Sequence, residues 1–186
     1  MTQPTYLAGR LLLAMPGMGD PRFDHAVIAM VQHDAHGALG LGIGTAVQGV
    51  TVHTVLADLG IDPGVAPDDP VLLGGPVETE RGFVLHSPDW TSRATVSAGA
   101  LGAMTTSRDV LAAIAAGKGP SRFVVVLGYA GWDAGQLDAE MTRHGWFAAQ
   151  GRTQIVFDTP AEERWKAAWR AEGIDPALLA SETGRA

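Results

Sequence analysis

The sequence contains no cysteine, and this absence removes several kinds of chemistry at once. Without thiols the chain can form no disulfide, no thiolate zinc site and no cysteine nucleophile. A chain of 186 residues without a disulfide is more typical of a reducing compartment than of the extracellular space. We therefore predict a cytoplasmic protein.

Basic residues are also scarce, since 13 lysines and arginines face 20 aspartates and glutamates, which gives a formal net charge of −7. No segment concentrates Lys and Arg into a patch, so the chain should repel phosphate backbones, and direct nucleic-acid binding is not expected. Long apolar runs are missing too, because Arg10, Asp20 and the histidines near position 33 interrupt them well short of the ~20 residues that span a bilayer. The first residues lack the basic segment of an export signal, and no membrane association is predicted.

Apolar residues, at 46% of the sequence, are instead distributed from end to end. One hydrophobic core can serve a chain of this length, so we predict a single domain over residues 1–186. The loop at residues 61–70 is rich in Pro and Asp, but it is too short to be a domain linker.

Hydrophobic periodicity predicts both strands and helices. Strands are expected at residues 8–15, 26–33, 38–44, 71–73, 82–85, 93–97, 123–127, 146–148 and 153–157. The second and third of these should pair as a hairpin, and the strand at 123–127 should be central. Helices are expected at residues 51–59, 106–117, 134–143 and 159–173, with Thr106 and Thr159 as N-caps. Because strands and helices do not alternate regularly, the pattern predicts an α+β fold with a mixed sheet.

A glycine-rich segment follows the predicted strand at 71–73. Gly74, Gly75 and Pro76 could present backbone N–H groups to an anion, with Arg81 nearby in the sequence. No Lys-Ser or Lys-Thr follows and no helix begins there, so neither the P-loop nor the dinucleotide fingerprint is present. The segment is either a tight structural turn or a small phosphate cradle.

Aromatic residues and a histidine supply the other candidate positions. Gly128, Tyr129 and Trp132 follow the central strand, where the rings could stack on a planar ligand or fill the core. His86 ends a strand and could act as an acid or base, but no motif places a serine, carboxylate or second histidine beside it. We therefore predict no catalytic residue, and the candidate ligand-binding positions are Gly74, Gly75, Pro76, Arg81, His86, Gly128, Tyr129 and Trp132.

His25, His33 and His36 lie near Asp34 and form the one local cluster of metal-ligating residue types. Their spacing matches no familiar zinc signature, and Asp34 and His36 are also typical turn residues. We predict no metal site and no cofactor.

Two tryptophans lie one helical turn apart on the last long predicted helix, at Trp165 and Trp169. Ala168 shares their face. We interpret the pair as core packing, and a contact surface for a protein partner is the alternative.

Short motifs recur in a fixed order along the chain. They are Leu11 to Pro16 with Asp20 and Phe23; His33 with Gly37, Ala38 and Gly40; Gly74 to Val77 with Arg81 to His86; Thr105 to Ser107 with Asp109; Gly128 to Trp132; Gly135 to Leu137 with Glu140; Trp146; Arg164 with Trp165; and Gly173 to Asp175. From about Leu7 onward, this series resembles the bacterial YqgE/AlgH family. The chain departs from the family where Val-Asn-Lys-Pro usually follows the first hairpin, since Gly44 to Val47 stand there instead.

The resemblance implies a single-domain α+β fold whose mixed, bifurcated β-sheet curls into a pseudo-barrel with flanking helices. It implies a cytoplasmic bacterial protein with no known enzymatic activity or cofactor. Family members are often described as transcriptional regulators, but the acidic charge and the lack of a helix-turn-helix pattern indicate an indirect role. We therefore expect a non-catalytic regulatory or adaptor protein that acts through a protein partner or a small ligand. The alternative is a small-molecule-binding enzyme with a site near Arg81, His86, Tyr129 and Trp132.

Overall fold

The computed structural model describes residues 6–17, 20–143 and 145–181, so both ends of the predicted domain lie outside the described residues. Within them the chain forms ten strands: β1 (Leu11–Ala14), β2 (Val27–Asp34), β3 (Gly37–Gly42), β4 (Ala46–Thr51), β5 (Pro70–Leu73), β6 (Val77–His86), β7 (Thr95–Ser97), β8 (Ala103–Thr105), β9 (Phe123–Asp133) and β10 (Trp146–Ala149). The helices are α1 (Val52–Asp58), α2 (Arg108–Ala115), α3 (Gln136–Thr142), α4 (Arg164–Ala171) and α5 (Pro176–Ser181). No helix in this part of the chain is long and apolar enough to cross a membrane.

The strands form one mixed sheet that divides at β9. Its main path runs β10-β1-β2-β3-β9-β6-β8-β7, with every neighbouring pair antiparallel. On the edge of β9 opposite β6, β5 pairs in parallel with Val126 and Leu127, whereas β3 pairs with residues 130–133. β4 extends the β5 branch. The predicted mixed, bifurcated sheet is therefore confirmed, as is the hairpin of β2 and β3.

The sheet curls around a central core of apolar side chains that come from both branches. The strands contribute Leu11, Leu13, Val27, Ala29, Leu41, Leu72, Phe83, Leu85 and Val126, and α4 covers them with Trp165, Ala168 and Trp169. The core interpretation of the tryptophan pair is confirmed, since Trp165 and Trp169 are both buried.

Two smaller clusters cover the outer face of the sheet. One lies beneath α1 and α2 and includes Val52, Leu56, Val110, Ile114 and Val125. The other includes Leu12, Ile28, Met30, Trp132 and, from α3, Leu137. Because both faces of β1, β2 and β9 are covered, these strands read as nearly continuous apolar runs in the sequence. The result is the single-domain α+β pseudo-barrel with flanking helices that the family resemblance implied.

The strand predicted at residues 153–157 is wrong. Residues Gln154–Asp158 form a single π-helical turn instead. The Arg152 carbonyl, just before this turn, accepts from the N–H groups of Ile155 and Val156. Ile155 and Val156 are adjacent in sequence and both belong to the central core. A strand would have directed these neighbouring side chains to opposite faces.

Both predicted threonine N-caps are also wrong. Helix α2 begins at Arg108 with Ser107 as N-cap, and the Ser107 hydroxyl contacts the Asp109 carboxylate instead of a backbone N–H. Thr159 donates its hydroxyl to the Gln154 carbonyl at 3.0 Å and so closes the π turn. A 3₁₀ turn at Ala161–Glu163 then precedes α4. In both cases the hydroxyl, of Ser107 or of Thr159, bonds to a nearby polar group and so does not cap the helix.

The two tryptophans of α4 give a matched test of packing against hydrogen bonding. The Trp165 indole N–H donates to the Ala14 carbonyl at 2.9 Å, whereas the Trp169 indole N–H has no hydrogen-bond partner among the described residues. We expect Trp165→Phe to lower the free energy of unfolding by about 1–2 kcal/mol more than Trp169→Phe, because it alone removes a buried hydrogen bond. Urea denaturation of both variants measures the difference, and equal losses would contradict it.

Candidate functional site: the glycine junction

The main chain leaving β5 meets the main chains of β3 and β9 at one point, which we call the glycine junction (Gly42, Gly74, Gly75 and Gly128). The Gly74 N–H donates to the Leu127 carbonyl at 2.8 Å, and the Gly74 carbonyl accepts from the Gly42 N–H at 2.7 Å. Gly74, directly after β5, is thus hydrogen-bonded both to β9 and to β3. The junction lies where the sheet divides.

The junction is too tight for side chains. A Cβ on Gly74 would lie 2.1 Å from the Gly128 oxygen, and one on Gly75 would lie 2.1 Å from the Tyr129 carbonyl carbon. A Cβ on Gly42 would lie 2.5 Å from the Leu73 oxygen. Gly128 also has a φ of +74°, a backbone conformation that favours glycine. These residues are glycines because three main chains are in contact.

A groove of about 350 Å³ opens on the outer side of this contact, and we call it the junction groove. Its floor contains the main chain at Gly42, Gly44, Gly74 and Gly75. Apolar walls come from Phe23, Ile28, Leu73, Pro76 and Ala130, and polar groups from Arg22, Thr45 and Thr79. This size and this balance of apolar walls with a few polar groups are typical of small-molecule sites.

Arg22, which lines the groove, forms a charged pair with Asp20. The guanidinium of Arg22 binds both carboxylate oxygens of Asp20, with Nη2 to Oδ2 at 2.8 Å and Nε to Oδ1 at 3.1 Å. These hydrogen bonds hold the pKa of the Asp20 carboxyl below its usual value. The pair is solvent-exposed, so it orients Arg22 more than it stabilises the fold.

The structure places Gly74, Gly75, Pro76 and Gly128 together: Gly128 lies within β9, and the other three form the short connection between β5 and β6. They do not form a loop around an anion. The Gly74 N–H is already used by Leu127, so it is not available to a phosphate. β9 continues to Asp133, and the predicted ligand loop at residues 128–132 is part of that strand. The long strand forms because β3 pairs with residues 130–133 and satisfies their main-chain groups.

Arg81 and Tyr129 both contact the Phe83 ring, and structural contacts hold each of them in place. The Arg81 guanidinium pairs with Glu78 at 3.0 Å and lies 5.2 Å from the centre of the Phe83 ring. The Tyr129 ring packs edge-on against the same Phe83 ring, with 5.7 Å between centres. Arg22 is the arginine that lines the groove.

His86 is fully buried, and both of its ring nitrogens are engaged. Nδ1 lies 2.8 Å from the Ser87 carbonyl, which can only accept, so this nitrogen carries a proton. Nε2 lies 2.8 Å from the Thr105 hydroxyl, which in turn lies 2.7 Å from the Thr95 hydroxyl. This chain of hydrogen bonds ties β6 to β8 and β7, and it leaves His86 no free nitrogen for a substrate.

Trp132 lies on the outer face at the other end of β9. Its indole N–H donates to the Glu140 carboxylate at 3.0 Å, and the same Glu140 oxygen accepts from the Trp146 indole at 3.1 Å. His86 pairs with Phe123 and Trp132 pairs with Ala38, so nine positions of β9 separate them, or roughly 30 Å at 3.3 Å per residue. The structure therefore does not bring Arg81, His86, Tyr129 and Trp132 into one site.

The histidine cluster does not assemble either. His33 is buried and accepts from the Leu7 N–H at 3.1 Å, while the His25 ring packs against Trp165 with 4.2 Å between centres. Among the described residues no group of three or more His, Asp or Glu side chains is arranged to hold a metal ion.

Sequence reasoning did not identify Arg22, Thr45 and Thr79 as residues that line a groove. They come from different segments and form no motif, so their convergence depends on the pairing of β3, β5 and β9. Gly42 and Gly44 gave a weak signal, because glycines within or just after a strand often mark a close backbone approach.

Two glycines of the sheet give a matched test of the junction. Neither Gly74 nor Gly82 has a positive φ, but a Cβ on Gly82 would meet nothing within 4 Å. We expect Gly74→Ala to lower the free energy of unfolding by about 3 kcal/mol or more, because the main chains must separate. Gly82→Ala should leave stability unchanged or slightly higher. Thermal and urea unfolding measure both, and a Gly74→Ala protein as stable as Gly82→Ala would contradict the junction.

Comparison with known proteins identifies the family. The model of the AlgH-like family matches residues 11–177. A UPF0301 protein of Novosphingobium aromaticivorans is 63% identical over 186 residues, and one of Rhizorhabdus wittichii is 54% identical, with the full length of both chains covered in each case.

Two solved structures have the same fold. The solution structure of AlgH from Pseudomonas aeruginosa matches with a TM-score of 0.77 and 42% identity, covering 100% of this chain and 99% of that one. The crystal structure of DIP2367 from Corynebacterium diphtheriae matches with a TM-score of 0.75 over 97% of this chain and 94% of that one, at 20% identity, which supports the fold alone. The resemblance inferred from the motifs is confirmed, and the chain belongs to the AlgH-like family.

Proposed function

We propose that this protein is a non-catalytic regulatory protein that binds a small, mostly apolar ligand in the junction groove. The observation that carries the proposal is the groove itself, a cavity of about 350 Å³ with a floor of main chain and walls of apolar side chains. The close packing beneath Gly42 and Gly74 fixes the shape of the floor before any ligand arrives. Such preorganisation lowers the entropic cost of binding.

The chemistry of the lining favours binding over catalysis. The polar side chains are Arg22, which is paired with Asp20, and the hydroxyls of Thr45 and Thr79. These groups can orient a ligand by hydrogen bonds, and none of them is an activated nucleophile. His86, the strongest candidate for an acid or base, is buried elsewhere with both nitrogens engaged.

The rim of the groove offers a surface through which a partner could respond to the bound ligand. Leu73 and Val77 flank the glycine segment and are 48% and 37% exposed. A partner that contacts these two apolar side chains would bury them and would touch the glycine segment that lies between them. Any effect on gene expression would pass through such a partner, because a net charge of −7 opposes direct contact with DNA.

The test is a screen of small aromatic and alicyclic molecules by NMR. We expect binders that shift the amide signals of Gly42, Gly44, Gly74 and Gly75. Gly44→Leu should weaken their binding at least about ten-fold, because the added side chain occupies part of a cavity whose complementarity sets the affinity. The variant should fold, since a Cβ on Gly44 meets its neighbours at an ordinary 3.4–3.8 Å.

Gly82→Leu is the matched control, since it adds the same side chain to β6 away from the groove, where a Cβ meets nothing within 4 Å. It should bind as the parent protein does, and mass spectrometry should recover each ligand unchanged after long incubation. Chemical conversion of a ligand, or signals that shift elsewhere in the molecule, would overturn the proposal.

A further inference from the structure

Arg164, the first residue of α4, is 5% exposed and makes its hydrogen bonds to main-chain carbonyls. Its Nε–H is shared between the carbonyls of Ile155 and Thr159, each at 3.0 Å, and Nη1 donates to the Ile43 carbonyl at 2.6 Å. An arginine has five N–H donors. The described residues account for two of them, so three remain.

The three carbonyls explain the position of Arg164 but do not neutralise its charge. No carboxylate within the described ranges lies within 4.0 Å of the guanidinium. Burial lowers the pKa of Arg164 to about 10, and the negative charge of Glu162 acts in the opposite direction. A buried cation without a counter-ion is costly and is therefore uncommon in a folded protein.

Arg164 lines a cavity of about 410 Å³ between β5, β9 and the π turn, which we call the Arg164 pocket. Leu72, Phe123, Val124 and Phe157 supply apolar and aromatic surface beside the guanidinium. None of its lining residues belongs to the junction groove.

We propose that the Arg164 pocket binds a small organic carboxylate. The carboxylate accepts from the free N–H groups of the Arg164 guanidinium, and the apolar body of the ligand lies against Phe123 and Phe157. A planar guanidinium edge matches a carboxylate in a bidentate geometry, and a low-dielectric site strengthens such a pair. The proposal is independent of the junction groove and of any ligand bound there.

The mouth of the pocket favours a ligand with a single negative charge. Asp69, Asp158 and Glu162 all line it and are exposed. Asp158 is paired with Arg122, which also stacks on the Phe157 ring at 5.4 Å. Asp69 and Glu162 would repel a phosphate dianion more strongly than a monocarboxylate. One buried guanidinium also balances one negative charge.

The probes are sodium benzoate and benzamide, which have nearly the same shape but differ in charge. We expect benzoate to bind saturably and to shift the Arg164 Nε–H signal in a ¹H–¹⁵N spectrum. Benzamide should bind at least about ten-fold more weakly, because it forms no charge-assisted pair with the guanidinium.

Three variants test the pocket without replacing Arg164, so the hydrogen bonds of Arg164 to the main chain stay intact. Ala46→Trp adds a large side chain at an exposed position that lines the pocket, and it should abolish benzoate binding. Gln48→Trp is the matched control on the same strand, exposed and outside the lining, and it should bind as the parent does. Glu162→Gln removes a like charge and should tighten binding roughly two- to five-fold.

Equal binding of benzoate and benzamide would overturn the proposal, because the guanidinium would then play no part. So would benzoate shifts that map outside the Arg164 pocket, or no binding up to the solubility limit of benzoate. Loss of binding in Gln48→Trp as well as Ala46→Trp would also overturn it, provided that thermal unfolding shows both variants to be folded.

Discussion

The contact between main chains at Gly74 and Gly128 determines the course of three strands. β9 has a left-handed residue at this point, and its pairing partner on one edge changes from β5 to β3 there. The change also separates the outer clusters, since Val125 packs beneath α1 and α2, whereas Trp132 packs with Leu137 of α3. The division of the sheet, the two outer clusters and the groove beside the junction thus follow from one close approach of peptide groups.

Two arginines, Arg22 and Arg164, differ in burial and in the groups that pair with their charge. Arg22 is solvent-exposed and has a carboxylate, so its pairing contributes little to stability and mainly directs the side chain. Arg164 is buried and has only carbonyls, so its charge is a cost that the surrounding core must offset. The buried arginine joins the π turn and the start of α4 to the end of β3, which is 121 residues away in the sequence.

Local patterns predicted the hairpin of β2 and β3, the central strand and the buried tryptophans, because periodicity and turn residues act over a few positions. The same reasoning missed the π turn, since Ile155 and Val156 fit an apolar strand equally well. It could not place Gly74 against Gly128, because that contact depends on pairing between distant strands. The sequence position of Arg164 also indicates an unusual residue. It lies four positions before Ala168, on the buried face of α4, where arginine is rarely found.

The floor of the junction groove is made of peptide groups, and its chemistry is therefore the same whatever residues surround it. It has no group that titrates, and any side chain introduced at Gly42, Gly74 or Gly75 would obstruct the main chain rather than retune the surface. Substitutions that reshape the groove without separating the strands are therefore limited to Gly44, where a Cβ meets its neighbours at ordinary distances, and to lining side chains such as Phe23, Thr45 and Thr79. The architecture thus combines a base of main chain, which added side chains would disrupt, with a border of side chains that substitutions can change without separating the strands.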